Sequence, residues 1–157
     1  YLIKETLLSD IIHQAVSDNK QLLLSNGVQI HLKDCEHTVF TDEKWVIFIL
    51  NQLIGNAVRY RRENPVLIFR AFCTEDGISL SIEDNGIGIP ADELPRIFEK
   101  GFTGTNGRLG KSSTGLGLYL CRRLCGKLGI GISAASGVGG TAITLSFICN
   151  HFCRMPE

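Results

Sequence analysis

The sequence predicts an α+β protein: a two-layer sandwich with three helices on one face of a mixed, mostly antiparallel sheet. Apolar residues recur at helical spacing in three stretches, near residues 5–26, 42–62 and 115–127. The strand-like stretches between them come in adjacent pairs, which excludes a doubly wound parallel sheet. A length of 157 residues with 44% hydrophobic content suits a single domain, residues 1–157, around one core.

Residues 5–26 read as the first helix, with Leu8, Ile11, Ile12, Ala15, Val16, Leu22 and Leu23 as its apolar stripe. Asn26-Gly27 closes it, because both tolerate the left-handed conformation. Val28 to Leu32 alternates as a strand, and a short strand at about Thr38 to Phe40 is expected to pair with it. Asp42 is a good N-cap for the second helix, which runs to about Arg62. Its apolar face holds Val46, Ile49, Leu50, Leu53 and Ala57. Beside it, Gln52, Asn56 and Arg59 share one stripe, and Tyr60 follows Asn56 by one turn. Amides within so apolar a helix need partners, which a metal ion with phosphate oxygens would supply; a helix edge facing water is the plainer alternative. Asn51 lies off this stripe and receives no role.

Asn64-Pro65 breaks the helix, Val66 to Phe72 is a strand, and Glu75-Asp76-Gly77 turns into the next, which ends at Asp84. Then comes Asn85-Gly86-Ile87-Gly88-Ile89-Pro90. Asn85-Gly86 alone could be a hairpin turn, but the chain after Pro90 does not alternate back into a strand. The glycines permit close backbone approach to a ligand, and Asp84 offers an acceptor beside Ile82, Ile87 and Ile89. That combination suits an amine-bearing aromatic ring such as adenine; a simple glycine-rich turn is the competing reading.

From about Pro90 to Thr114 periodicity is lost, and Gly101, Gly104, Gly107 and Gly110 are interspersed with Arg108 and Lys111. Such a segment is expected to be a mobile lid at about 91–114, with a helical turn near Leu94 to Phe98. The third helix, Gly115 to Lys127, repeats Leu116, Leu120, Leu124 and Leu128, read as a sheet-facing stripe, and Ser113 and Thr114 can cap it. Gly115 and Gly117 would weaken a purely structural helix, whereas a bare helix start binds phosphate. Gly129 to Ala134 and Thr141 to Cys149 are the last strands, joined by a glycine-rich hairpin.

Formal net charge is zero, so no basic field points to nucleic acid, and Arg61-Arg62 and Arg122-Arg123 read as solvated helix faces. No apolar run is long enough to span a bilayer, and the first residues do not resemble a secretory signal. The chain lacks an initiator methionine and reads as a piece of something longer. None of the six cysteines forms a Cys-x-x-Cys pair; Cys121 and Cys125, one turn apart, read as small buried hydrophobes in a reducing compartment.

In order and spacing, Gln52 to Tyr60, Asp84 to Pro90, Arg96 to Phe102 and Ser113 to Leu118 resemble the N, G1, F and G2 boxes of the sensor histidine kinase ATP-binding domain. That domain has the Bergerat ATP-binding fold, shared with gyrase B, Hsp90 and MutL. The resemblance covers roughly residues 5–149, and the Phe-Glu-Lys-Gly-Phe-Thr-Gly run from Phe98, with Gln52 where asparagine is usual, looks like the bacitracin-sensing type.

The resemblance implies Mg-ATP as ligand and transfer of the γ-phosphoryl group to a histidine. It implies that Asp84 accepts from the adenine amine, that Gly86 and Gly88 shape the purine pocket, and that Asn56 is the catalytic, magnesium-binding residue with Gln52 beside it. Arg59, in a usual lysine position, would meet phosphate; Tyr60 would lie against base or ribose. Phe98 and Phe102 would anchor the lid; Thr114, Gly115 and Gly117 would hold phosphates, with Arg108 and Lys111 as lid contacts. Ile89, Leu116 and Leu118 complete the implied nucleotide-binding set. None of His13, His31, His37 and His151 carries the family's acceptor pattern, so the acceptor is expected on a separate dimerisation domain. The implied partners are that domain and a response regulator. The fragment is expected to be a monomeric cytoplasmic part of a membrane-bound homodimer. Two alternatives remain at this point. One is a hydrolysing ATPase of the MutL or gyrase type, against which stands Gln52, a poor base four residues before Asn56. The other is a nucleotide-binding regulator without transferase activity.

Overall fold

The computed structural model describes residues 1–104 and 115–148. Five strands form the main sheet in the order β2-β4-β5-β7-β6: β2 Gln29–Lys33, β4 Val66–Thr74, β5 Gly77–Asp84, β6 Ile130–Gly137 and β7 Gly140–Ile148. Only β2 and β4 run parallel; the remaining neighbours are antiparallel, as expected for a mixed, mostly antiparallel sheet. Side chains alternate across it. Leu67, Phe69 and Ala71 of β4, Leu80 and Ile82 of β5, and Leu145 and Phe147 of β7 are buried on one face. On the other, the Arg70 guanidinium forks onto the Glu83 carboxylate at 3.1 and 3.2 Å, and Ser81 Oγ donates to the same carboxylate. One face is apolar and the other polar, so helices pack on one side only.

Those helices are α1 Leu8–Asp18 with its short continuation α2 Lys20–Ser25, α3 Glu43–Arg59, and α4 Gly117–Leu128. Their apolar residues join the sheet's inner face in one core. Among the described residues no helix is long and apolar enough to cross a membrane.

Four expectations about these elements need correction. The first helix does not begin at residue 5: Lys4–Leu7 is a strand, β1, with Thr6 buried. Nor is it continuous: α1 ends at Asp18, Asn19 takes φ −108° and ψ 18°, and its side chain donates to Ala15 O and to Asn51 Oδ1, both at 2.8 Å. The strand Thr38–Thr41, β3, pairs antiparallel with β1 and not with β2. β2 pairs in parallel with β4 through a crossover that includes α3, a long-range choice with no local signal.

The fourth concerns α4. Leu116 and Leu120 are 37% and 40% exposed, while Cys121 and Cys125 are fully buried. A repeat of four exceeds one helical turn by about 40°, so the leucine series cannot keep to one face: Leu116 and Leu120 lie outward, while Leu124 and Leu128 pack against the core. The face that stays inward steps by three and four through Leu118, Cys121, Cys125 and Leu128. The reading of both cysteines as buried hydrophobes holds, and burial pushes their thiols up to about 12 and about 11.

The second helix follows its caps. Asp42 Oδ1 accepts from Trp45 N at 3.2 Å, and Oδ2 accepts from Leu2 N at 2.7 Å. It ends at Arg59, three residues before the expected Arg62. Of the proposed lid, residues 105–114 lie outside the described residues. The described part carries a 3₁₀ turn at Leu94–Arg96 and is tied to the core by buried Ile97 and by Leu94, Phe98 and Phe102.

Candidate functional site

The apolar helix α3 and the ends of β5 and β7 enclose a cavity of about 110 Å³. α3 lines it with Leu53, Asn56, Ala57 and Tyr60; β5 contributes Ile82 and Asp84. Gly88, Ile89 and Pro90 of the following turn form a third wall. Phe102 and Gly104, then Gly115, Gly117 and Leu118 at the start of α4, form a fourth. All four sequence boxes supply wall residues: Asn56 and Tyr60 from the first, Asp84, Gly88 and Ile89 from the second, and Gly115, Gly117 and Leu118 from the last. The Arg96 to Phe102 run contributes Ile97 and Phe102.

Asp84 is the fixed polar point of the mostly apolar end. Its Oδ1 accepts from Gly86 N at 2.8 Å and from Thr141 N at 3.3 Å. No described group donates to Oδ2, which leaves one carboxylate oxygen available in the cavity wall. Burial raises the Asp84 carboxyl above its ordinary range, and the two backbone amides oppose that rise.

The glycines serve this aspartate mainly through backbone packing. Gly86 does not line the cavity; a β-carbon there would strike the Tyr60 carbonyl, which accepts from Ile87 N at 2.9 Å. Its part in the pocket is thus indirect, through its amide on Asp84. Gly88 does line the cavity, at φ +79°, with Gly137 O only 2.5 Å from where a β-carbon would be. Asn85 pins the same turn from outside, accepting from Val66 N at 2.8 Å and donating to Asn64 O.

Asn56 lines the cavity half-buried, and its side-chain amide has no hydrogen-bond partner among the described residues. An amide oxygen left open in this way is a hard oxygen donor of the kind magnesium takes together with phosphate oxygens. The described residues contain no cluster of three His, Cys, Asp or Glu that could hold a metal ion. Gln52, one turn earlier, is not in the cavity wall: its Oε1 lies against Gly117. Arg59 is exposed and also outside the wall.

α4 begins without a side-chain cap, its N-cap residue being Leu116, which does not line the cavity. Gly115, at φ +69°, is clasped to Gly101, whose amide donates to the Gly115 carbonyl at 3.1 Å. Across the same wall the Arg96 guanidinium stacks 4.4 Å over the Phe102 ring. Arg108, Lys111 and Thr114 lie outside the described residues, as does Ser113.

Sequence reasoning missed the residues from the far hairpin. Thr141 and Ile143 of β7 line the cavity. Ser136 Oγ accepts from Ile89 N at 2.7 Å and donates to Gly140 O, binding the Asp84 turn to the β6–β7 hairpin. The Gly139-Gly140-Thr141 run was visible, but its register opposite Asp84 is a tertiary fact. Glu93, which also lines the cavity, carried no periodic signal.

The sequence pattern of the histidine kinase-, DNA gyrase B-, and HSP90-like ATPases matches residues 41–150, more than half of the chain. The chain belongs to this family. Among curated relatives of the ATPase domain, the sensor histidine kinase YxdK of Bacillus subtilis is 32% identical over 151 residues, covering 94% of this chain and 46% of the relative. The sensor protein BceS of Halalkalibacterium halodurans is 36% identical over 146 residues, covering 92% and 43%. The chain therefore spans less than half the length of these relatives. In fold, it matches the nucleotide-free catalytic domain of histidine kinase ThkA with a TM-score of 0.79 at 18% identity, over 94% of this chain and 97% of that one. ThkA in complex with the response regulator TrrA matches with a TM-score of 0.76 at 17% identity, over 97% and 43%.

Proposed function

We propose that this chain is the ATP-binding catalytic part of a sensor histidine kinase, which binds Mg-ATP and donates the γ-phosphoryl group to a histidine on a separate dimerisation domain. The observation that carries the reading is one cavity holding both an open aspartate oxygen, Asp84 Oδ2, and an unpartnered amide, Asn56. Asp84 would accept from the adenine amine while Ile82, Ile89 and Ile143 enclose the ring. Tyr60 would lie against base or ribose. Gly115, Gly117 and Leu118 would meet phosphates at the start of α4, which has no side-chain cap and where the positive end of the helix dipole favours anions.

Asn56 would hold the magnesium ion, which neutralises charge on the phosphate oxygens when bound. The protein's remaining work is orientation. Holding reacting atoms in line can account for roughly 7–11 kcal/mol of barrier lowering. Exposed Arg59 and the lid residues Arg108, Lys111 and Thr114 would act on the phosphates as the lid, about 91–114, closes.

The similarity to YxdK and BceS supports a sensor-kinase role for the whole protein; in that role it would be a membrane-bound homodimer with this domain in the cytoplasm, passing phosphate to a response regulator. The bacitracin-sensing subfamily reading accords with the BceS similarity.

One observation favours a hydrolytic reading: Glu93 places a carboxylate in the cavity wall, where a base for water could act. Steady-state hydrolysis separates the two. A kinase domain binds ATP and hydrolyses it very slowly, with Glu93→Gln changing little. Rapid turnover abolished by Glu93→Gln would establish an ATPase instead.

A further inference from the structure

Gln52 sits one turn before Asn56 on the same helix, yet only Asn56 reaches the cavity. The Gln52 side chain turns to α4. A β-carbon on Gly117 would stand 2.9 Å from Gln52 Oε1 and 3.9 Å from its Cδ, with no other described atom within 4 Å beyond its chain neighbours and its own helix. Among the described residues this amide makes no hydrogen bond. Gly117 is the first residue of α4 and lines the cavity beside Leu118. Glycine weakens a helix relative to alanine, and the space it leaves here is filled by the glutamine amide. A glutamine spans the gap that a shorter asparagine, lacking one methylene, would leave open.

We infer that Gln52 is a positioning residue: its amide packs on Gly117 and sets how closely the first turn of α4 approaches Asn56, and it is not a ligand of the metal ion. The inference rests on the nucleotide reading above and assigns Gln52 a role within that site. It gives the glycine and the glutamine one shared function, so removing either side of the contact has the same consequence. In Gly117→Ala the new methyl displaces the Gln52 amide, whose flexible end yields before the backbone does. In Gln52→Ala the amide is gone. Both leave α4 free to shift its phosphate-facing turn.

The test is a double-mutant cycle on this chain, read by calorimetric titration of ATP and, separately, of magnesium at fixed ATP. Gln52→Ala and Gly117→Ala each weaken ATP binding by roughly five- to tenfold. The double variant is no weaker than either single one, as expected when two residues act through one contact. The magnesium midpoint stays at the wild-type value in Gln52→Ala and moves in Asn56→Ala. A second readout needs no nucleotide. The Gln52 side-chain amide signal in ¹H–¹⁵N spectra, identified by its loss in Gln52→Ala, shifts in Gly117→Ala. Multiplying fold-changes in the double variant, an unaffected ATP affinity in Gln52→Ala, or a magnesium midpoint that moves in Gln52→Ala as in Asn56→Ala would each overturn the inference. If wild type does not bind Mg-ATP, the nucleotide reading itself fails, while the amide signal still reports whether Gln52 packs on Gly117.

Discussion

The main-chain amide of Thr141 donates to the Asp84 carboxylate at 3.3 Å, because the β5–β7 register sets these two residues opposite each other. The last strand of the sheet thereby orients the aspartate that ends a strand nearly sixty residues earlier. With Gly86 on the same oxygen, Asp84 is held through Oδ1, while Oδ2 accepts from no described group.

Asp84→Asn should keep the first of these arrangements and lose the second. An asparagine Oδ1 still accepts from Gly86 and Thr141, which leaves its NH₂ facing an adenine amine, donor against donor. ATP affinity should drop by about ten- to a hundredfold, the cost of an unmade buried hydrogen bond of about 1–3 kcal/mol. Calorimetry measures it, and equal affinities would remove Asp84 from the base site.

The same carboxyl gives a pH signature. Burial holds its folded-state pKa above the unfolded value, so unfolding releases a proton in the window between the two. Stability from Asp84 is therefore present below the unfolded pKa and is lost as pH rises through the folded one. The stability of wild type relative to Asp84→Asn should fall across that window, measured by urea unfolding at a series of pH values. Glu83 behaves in the opposite sense: its hydrogen bonds from Arg70 lower its pKa, and its contribution is lost as pH falls through the folded value. A wild-type minus Asp84→Asn difference that rises with pH would contradict the burial account.

Gly140→Ala tests the hairpin's part in the site. At φ +128° a side chain is strained, and its β-carbon would fall on the Asp84 carbonyl oxygen. That oxygen is backbone at the end of the sheet's middle strand and cannot swing aside. The variant should lose about 1–3 kcal/mol of stability, as overpacked positions do, together with ATP affinity. Unchanged urea unfolding would show that the β5–β7 junction is looser than this geometry.

Much of this was legible from sequence because its causes are local. Asp42 caps α3 where a cap was expected, and the Asp84 turn departs from a hairpin as its glycines and proline indicated. What could not be read depends on partners distant in the chain. β3 alternates identically whether it pairs with β1 or β2, and nothing near Asn19 announces that Asn51 will receive its amide. On α4 the leucines outweighed the cysteines by hydrophobicity, although only the Cys121–Cys125 face stays inward over three turns. Gln52 and Asn56 share a stripe, but only the position of α4 separates the residue that lines the cavity from the one that packs behind it.

Asn56→Ala should remove the magnesium-dependent part of ATP affinity and leave binding of metal-free ATP near its wild-type value. Asn56 lends no hydrogen bond to the described fold through its side chain, so thermal unfolding should move little. An undiminished magnesium dependence would show that the open amide is a solvent-facing helix edge.

The central claim is tested most directly by phosphoryl transfer between domains. This chain is mixed with γ-labelled ATP, magnesium and the histidine-bearing helical domain of the same kinase, and the label on that domain is measured. The account predicts an acid-labile phosphohistidine that forms only when both pieces are present and is absent with Asn56→Ala. Steady ATP hydrolysis by this chain alone, with no label appearing on the added domain, would contradict it.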